Sequence, residues 1–176
     1  MTQTLSAAVG PISKIAERLE ATLIATHAWS ELPDASVYHN DIPGPANRRT
    51  YTRLELERLR PLALIWTPDS NGIEWTRQTA RGGHCVDSKG RLLVMVERNV
   101  PANEDEAEAD RTWENWIGRL VIGPTNEPGL MNLAGDPRYL PITRVGLVDR
   151  FRFDRAKVKD LGDAQRAILL VEWSSQ

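Results

Sequence analysis

Between Leu62 and Thr79 two strand-like runs follow each other with only a five-residue turn between them, and that spacing limits what the chain can build. The first run, residues 62–67 (LALIWT), is short, apolar and bounded by Pro61 and Pro68. After Pro68-Asp69-Ser70-Asn71-Gly72, the residues Ile73, Trp75, Arg77 and Thr79 alternate with Glu74, Thr76 and Gln78, the period of a half-buried strand. Parallel neighbours in a sheet need a crossover of a dozen or more residues, whereas antiparallel neighbours need only a turn. The spacing therefore predicts a hairpin and argues against the parallel sheet of nucleotide-binding folds. Punctuation at Arg81-Gly82-Gly83 and Ser88-Lys89-Gly90 sets off residues 84–87 and the strongly strand-like 92–96, extending the prediction to a meander of three or four antiparallel strands.

Two segments carry the helical period instead. Over residues 11–29, Ile12, Ile15, Ala16, Leu19 and Leu23 recur at three- and four-residue steps among Lys14, Glu17, Arg18 and Glu20, with Gly10-Pro11 as the entry. Over residues 103–123, Glu104, Asp105, Glu106, Glu108 and Asp110 precede Trp113, Trp116, Ile117 and Leu120. Acidic residues suit the positive end of a helix dipole, and Gly123-Pro124 supplies the stop. Near the end, Val145, Leu147, Phe151 and Phe153 share one parity against Arg144, Arg150, Arg152 and Asp154, and Ala167, Leu169, Val171 and Trp173 share another, which predicts a long antiparallel hairpin. Pro33, Pro43, Gly44 and Pro45 break any regular pattern over residues 30–47. Pro128, Gly129, Gly135 and Pro137 do the same over residues 126–141, apart from a helical turn at 130–133. The expected fold class is α+β: a two-layer sandwich with a mainly antiparallel sheet of five or six strands and two main helices on one face. The 176 residues make one domain, 1–176, with long loops at about 30–60 and 124–141.

Composition then removes whole classes of function. The 22 basic and 24 acidic residues leave a net charge of -2, so no chain-wide field would hold nucleic acid or an anionic membrane. No apolar run approaches membrane-spanning length, and the first ten residues carry no Lys or Arg, so neither insertion nor export is expected. The single cysteine, Cys85, forms neither an internal disulfide nor a Cys-pair zinc site, which fits a reducing cytoplasm. There is no P-loop and no glycine-rich nucleotide fingerprint. His27, His39, His84 and Cys85 lack ligand spacing, and the acidic residues 104–110 lack the glycine and alternating ligands of a calcium loop. No cofactor, metal or catalytic residue is therefore expected. The one nucleophile available is Cys85, with His39 or His27 as base, but a free cysteine in an apolar-flanked strand ordinarily packs as a small hydrophobe. His39 and Asp41 read as turn chemistry.

Tryptophans and charges carry the remaining signal. Trp113 and Trp116 read as core anchors, whereas Trp29 and Trp75 are the better interface candidates, although packing is the leading reading for all. Residues 47–60 hold Arg48, Arg49, Arg53, Arg58 and Arg60 against Glu55 and Glu57, while residues 97–110 hold six acidic groups against Arg98. Opposite local charges in a near-neutral chain suit either ordinary solvated surface or a head-to-tail contact between copies, which closes into a ring.

The arrangement over nearly the whole chain resembles the tail terminator (tail completion) proteins of long-tailed bacteriophages. The likeness lies in an N-terminal amphipathic helix (ISKIAERLEATLIATHAW), an apolar strand after a proline-rich loop (RPLALIWT), a strand (GRLLVMVERN) leading to a Trp-bearing helix (DRTWENWIGRLV), and a terminal strand (AQRAILLVEW). The loops at residues 30–60 and 126–141 depart from that pattern in length. The resemblance implies a homohexameric ring in the virion, at the tail-neck junction, assembled in host cytoplasm. Such a ring caps the tail tube protein, meets a neck or head-completion protein, does no covalent chemistry, and touches DNA only passively in its channel. Arg48, Arg49 and Arg53 are then the expected contacts between subunits or with partners, and Glu104, Asp105 and Glu106 their opposite-sign counterparts. The competing readings are a neck adaptor and, in another class, a small cytoplasmic hydrolase with Cys85 as nucleophile.

Overall fold

One long strand organises the sheet. The computed structural model describes residues 11–40, 58–68, 73–80, 83–100, 105–124, 126–133, 136–153 and 164–175. Strands β1 (Ser36–Asn40), β2 (Leu62–Trp66), β3 (Ile73–Ala80), β4 (Gly83–Asn99), β5 (Ile142–Phe153) and β6 (Ala164–Ser175) form a single six-stranded sheet. Its order is β1-β2-β4-β6-β5, with β3 also on β4. Three helices, α1 (Pro11–Ile24), α2 (His27–Ser30) and α3 (Glu106–Ile122), and a 3-10 turn at Leu130–Asn132 complete the described elements, so the chain has the mixed α+β fold.

Pairing departs from the sequence reading at three places, each with a physical cause. β2 and β3 do not form a hairpin with each other: β2 pairs with Leu93 to Glu97 and β3 with Gly83 to Gly90, end to end along one edge of β4. The turn that folds the chain back lies instead between Ala80 and Gly83. Ser88-Lys89-Gly90 is no break, because Gly90 is paired on both sides, with Ile73 and with Trp173, and ladders on both edges hold the strand extended. Within the expected loop at 30–60 lies β1, parallel to β2, and residues 41–61 supply the length that a parallel crossover requires.

The helices pack on one face of the sheet. Ala63 and Ile65 of β2, Leu92, Val94 and Val96 of β4, and Ala167, Leu169, Val171 and Trp173 of β6 share that face through the register. Against them lie Ala16, Leu19 and Leu23 of α1 and Trp113, Trp116, Ile117 and Leu120 of α3. Helix one is shorter than the 11–29 expected. Thr26 is extended (φ -72°, ψ 144°), and its hydroxyl accepts from Trp29 N–H at 3.3 Å, which starts α2 on a new axis. That change of direction buries Trp29, as the leading packing reading has it and against the interface alternative, and lets Ala28 carbonyl accept the Trp116 indole N–H at 2.8 Å. Trp113 and Trp116 stack with centroids 4.9 Å apart. On α3, the Gly123 stop adopts φ 75°, and Gly129 comes so close that a side chain at either position would strike backbone.

α1 also holds the start of the final hairpin. Thr22, fully buried, donates its hydroxyl to Arg18 carbonyl at 2.6 Å and accepts the Leu140 N–H at 2.8 Å. Arg18 donates to Tyr139 carbonyl at 2.5 Å. Thr22→Val keeps the volume and leaves the Leu140 N–H buried without a partner. We expect it to lower unfolding free energy by about 1–3 kcal/mol in urea denaturation, and Thr22→Ser to recover most of that loss.

Candidate interaction surface

Among the described residues, several ionisable side chains are committed to partners within the chain. The second face of the sheet carries a small apolar cluster, Leu62, Leu64 and Met95, packed by Tyr38, Leu59, Trp66 and Ile168. Beside it Glu97 is fully buried. β4 places Glu97 opposite Leu62 on one side and Arg166 on the other. Its carboxylate accepts from Arg60 Nε at 2.6 Å and from Arg166. Removing one member of such a group leaves its partners charged and dehydrated. Arg60 and Glu97 are the ends of the two oppositely charged stretches, so part of that complementarity is used inside one copy and not between copies.

A second network seats α3. Arg98 Nε donates to Gln165 Oε1 at 2.9 Å, and Gln165 Nε2 donates to Asp110 Oδ1 at 2.6 Å. The Arg98 guanidinium also lies 5.3 Å from the Trp113 ring centre, within cation–π range. Two histidines are held by carboxylates. His39 is not in a turn but on β1, nearly buried, with Nε2 2.9 Å from Glu20 Oε2 on α1. His27 lies 3.4 Å from Glu127 and 3.7 Å from Glu31, and Glu31 also takes Arg119. At an exposed turn, the Arg138 side chain beside Asp136 holds that carboxyl below its ordinary range and raises its own guanidinium.

Of the expected contact residues, Arg48, Arg49, Arg53 and Glu104 lie outside the described residues. Asp105 and Glu106 open α3 at its exposed end: Asp105 is the N-cap, with its carbonyl accepting Ala109 N–H at 2.8 Å, and Glu106 stands in the first turn. Cys85 pairs through its backbone with Gln78, and its side chain and that of Trp75 lie outside the described residues. Its position still bears on the hydrolase reading. His39 is aligned with Ile65 and through it with Val94, nine residues along β4 from Cys85, about 30 Å at strand rise. His39 is therefore out of reach as its base.

Among the described residues, no group of three or more His, Cys, Asp or Glu is placed to hold a metal, and no helix is long and apolar enough to cross a membrane. A cleft of about 270 Å³ on the second face is lined by Glu74, Lys89, Arg91, Thr143 and Glu172. Its charges are paired, Lys89 with Glu74 at 3.1 Å and Arg91 with Glu172 at 3.0 Å. No family model matches the sequence, and no curated protein matches it.

What stands out is apolar. Among the described residues, four of the five exposed large hydrophobic residues sit on elements that meet at one corner: Ile122 on α3, Met131 on the 3-10 turn, and Leu147 and Val148 on β5. The 3-10 turn packs on both α3 and β5, Asn132 donates to Ile122 carbonyl, and Arg150 of β5 pairs with Glu114 of α3. Strict alternation expected Leu147 to be covered, but it is 53% exposed and Val148 58%. Leu147 keeps its alignment with Leu169 on the helix-bearing face but lies on the last strand of the sheet order, where the helices leave it uncovered; Val148 is a bulge, since Asp149 aligns with Ile168 and leaves it unaligned. In the sequence the trace of this is Gly146-Leu147-Val148, adjacent aliphatic residues that no period-two strand accommodates on one face.

The Glu97 cluster makes a separable prediction. Glu97→Ala should cost about 3–5 kcal/mol in equilibrium denaturation, since it removes the fully buried carboxylate that accepts from both Arg60 and Arg166. Glu172→Ala, at the more open pair, should cost less than about 1 kcal/mol.

Proposed function

We propose that this chain is a structural assembly protein, and specifically a tail terminator: a ring that caps a phage tail tube and joins it to the neck. The observation that carries the reading is the apolar corner, since exposed aliphatic side chains on elements that pack together suit a contact surface. The described polar clusters point the same way, because the buried carboxylate and the histidines are occupied in tying helices and strands together. A chain of this kind works by presenting surfaces, without covalent chemistry. The distance between Cys85 and His39 counts against a hydrolase built on that pair.

In this role the sheet and helices form the body of each subunit. Residues 30–60 and 124–141 meet neighbours, tube or neck, and Arg48, Arg49 and Arg53 face Asp105, Glu106 and Glu104 of the next copy. Ring closure requires such heterologous contacts, with different patches on the two sides of each junction.

The test is solution mass by light scattering, with and without tail tube. The expected result is an assembly of about six copies in the presence of tube. Arg48→Glu with Arg49→Glu should abolish it while leaving the fold intact by circular dichroism. A species whose mass is indifferent to tube, or a reversal that leaves the ring unchanged, counts against the reading.

A further inference from the structure

The outer edge of β5 has features that the fold does not account for. Among the described residues no strand pairs with it. Gly146 lies in its middle, where a Cβ would meet nothing within 4 Å, and unlike Gly123 it is not in the left-handed region. Nothing described inside the chain requires glycine there, and glycine weakens a strand unless another backbone approaches closely. Bulges and charges are also how edge strands avoid pairing. A protected edge, however, does not display two aliphatic side chains more than half exposed.

Strand directions and the register specify what fits this edge. Pairing with β6 puts Val145, Leu147 and Arg150 on the helix-bearing face, and Arg144, Gly146 and Asp149 on the other. A two-fold axis through Gly146, perpendicular to the sheet, sets β5 antiparallel to the β5 of a second copy with all helices on one side. Passing over the bulged Val148, it aligns Val145 with the partner's Leu147 and Arg144 with the partner's Asp149, each twice. Opposite charges directly across an antiparallel pair are favourable, and like charges are not. Both side chains are available: Arg144 is 74% exposed and only 3.7 Å from Glu172, which Arg91 already holds, and Asp149 accepts only the neighbouring Arg150 N–H among its described bonds. Centring the axis on Leu147 instead pairs no opposite charges, and centring it on Asp149 opposes two carboxylates.

We propose that the free protein is a two-fold dimer, joined through β5 in this register, with Leu147 and Val148 buried at the contact. A two-fold junction stops at two copies, so it describes a state before any six-fold ring closes, and it stands independently of the terminator reading.

The test is sedimentation equilibrium of the full chain without other components, on wild type, Asp149→Arg, Arg144→Asp, and the double swap. At roughly 0.1 mM, where a contact of micromolar dissociation constant is saturated, wild type should be dimeric. Each single reversal should raise the dissociation constant roughly tenfold or more by facing like charges twice, and the double swap should restore it to within about threefold. These residues are exposed, so folding should be unaffected, which circular dichroism checks. A monomeric wild type, a dimer insensitive to either reversal, or a swap that fails to restore it would each overturn the proposal.

Discussion

β4 is hydrogen-bonded along both edges, and every other part of the described fold takes its position from it. Its seventeen residues hold β2 and β3 end to end on one side and β6 on the other. Alternation along it then builds both faces at once. Leu92, Val94 and Val96 meet the helices, while Met95 and Glu97 point to the other side. A strand paired on both edges cannot slip by one residue without turning its whole apolar set to the wrong face. Glu97 reinforces that register, because only one alignment brings its carboxylate between Arg60 and Arg166.

The division of labour between the charged and apolar surface follows. Charges near the sheet serve the interior: Glu97 in its guanidinium pair, Asp110 through Gln165 to Arg98, Glu20 to His39. What remains outside is a corner made where α3, the 3-10 turn and β5 converge, with aliphatic side chains that the helices leave uncovered. β5 is the last strand in the order β1-β2-β4-β6-β5, and two irregularities separate its alternation from that of β6. The exposure of Leu147 and Val148 is therefore a consequence of position for the one and of the bulge for the other.

Much of this was legible in the sequence, and the rest was hidden for identifiable reasons. The period of Ile12 to Leu23 and of Trp113 to Leu120 located two helices, and the parity of Ala167 to Trp173 located the buried face of β6, because each depends only on local side-chain geometry. Which strands pair is a non-local matter: nothing within Pro68 to Gly72 distinguishes a hairpin from a step along one edge of β4. β1 was masked by the prolines that flank it, Pro33, Pro43 and Pro45, and by its parallel pairing, which needs a long crossover and no tight turn. The helix break at Thr26 involves neither Pro nor Gly and depends on Trp29 finding the core. For the contact surface, Leu147-Val148 carried a signal, but only a known register with β6 converts it into a bulge with exposed side chains.

The reading of this chain as a protein that works through its surfaces is tested most directly by electron microscopy of purified tail tubes mixed with it. A single ring-shaped density on one end of each tube, together with arrest of further tube growth, is the predicted result. Tubes whose ends stay bare and continue to lengthen in excess protein would contradict it.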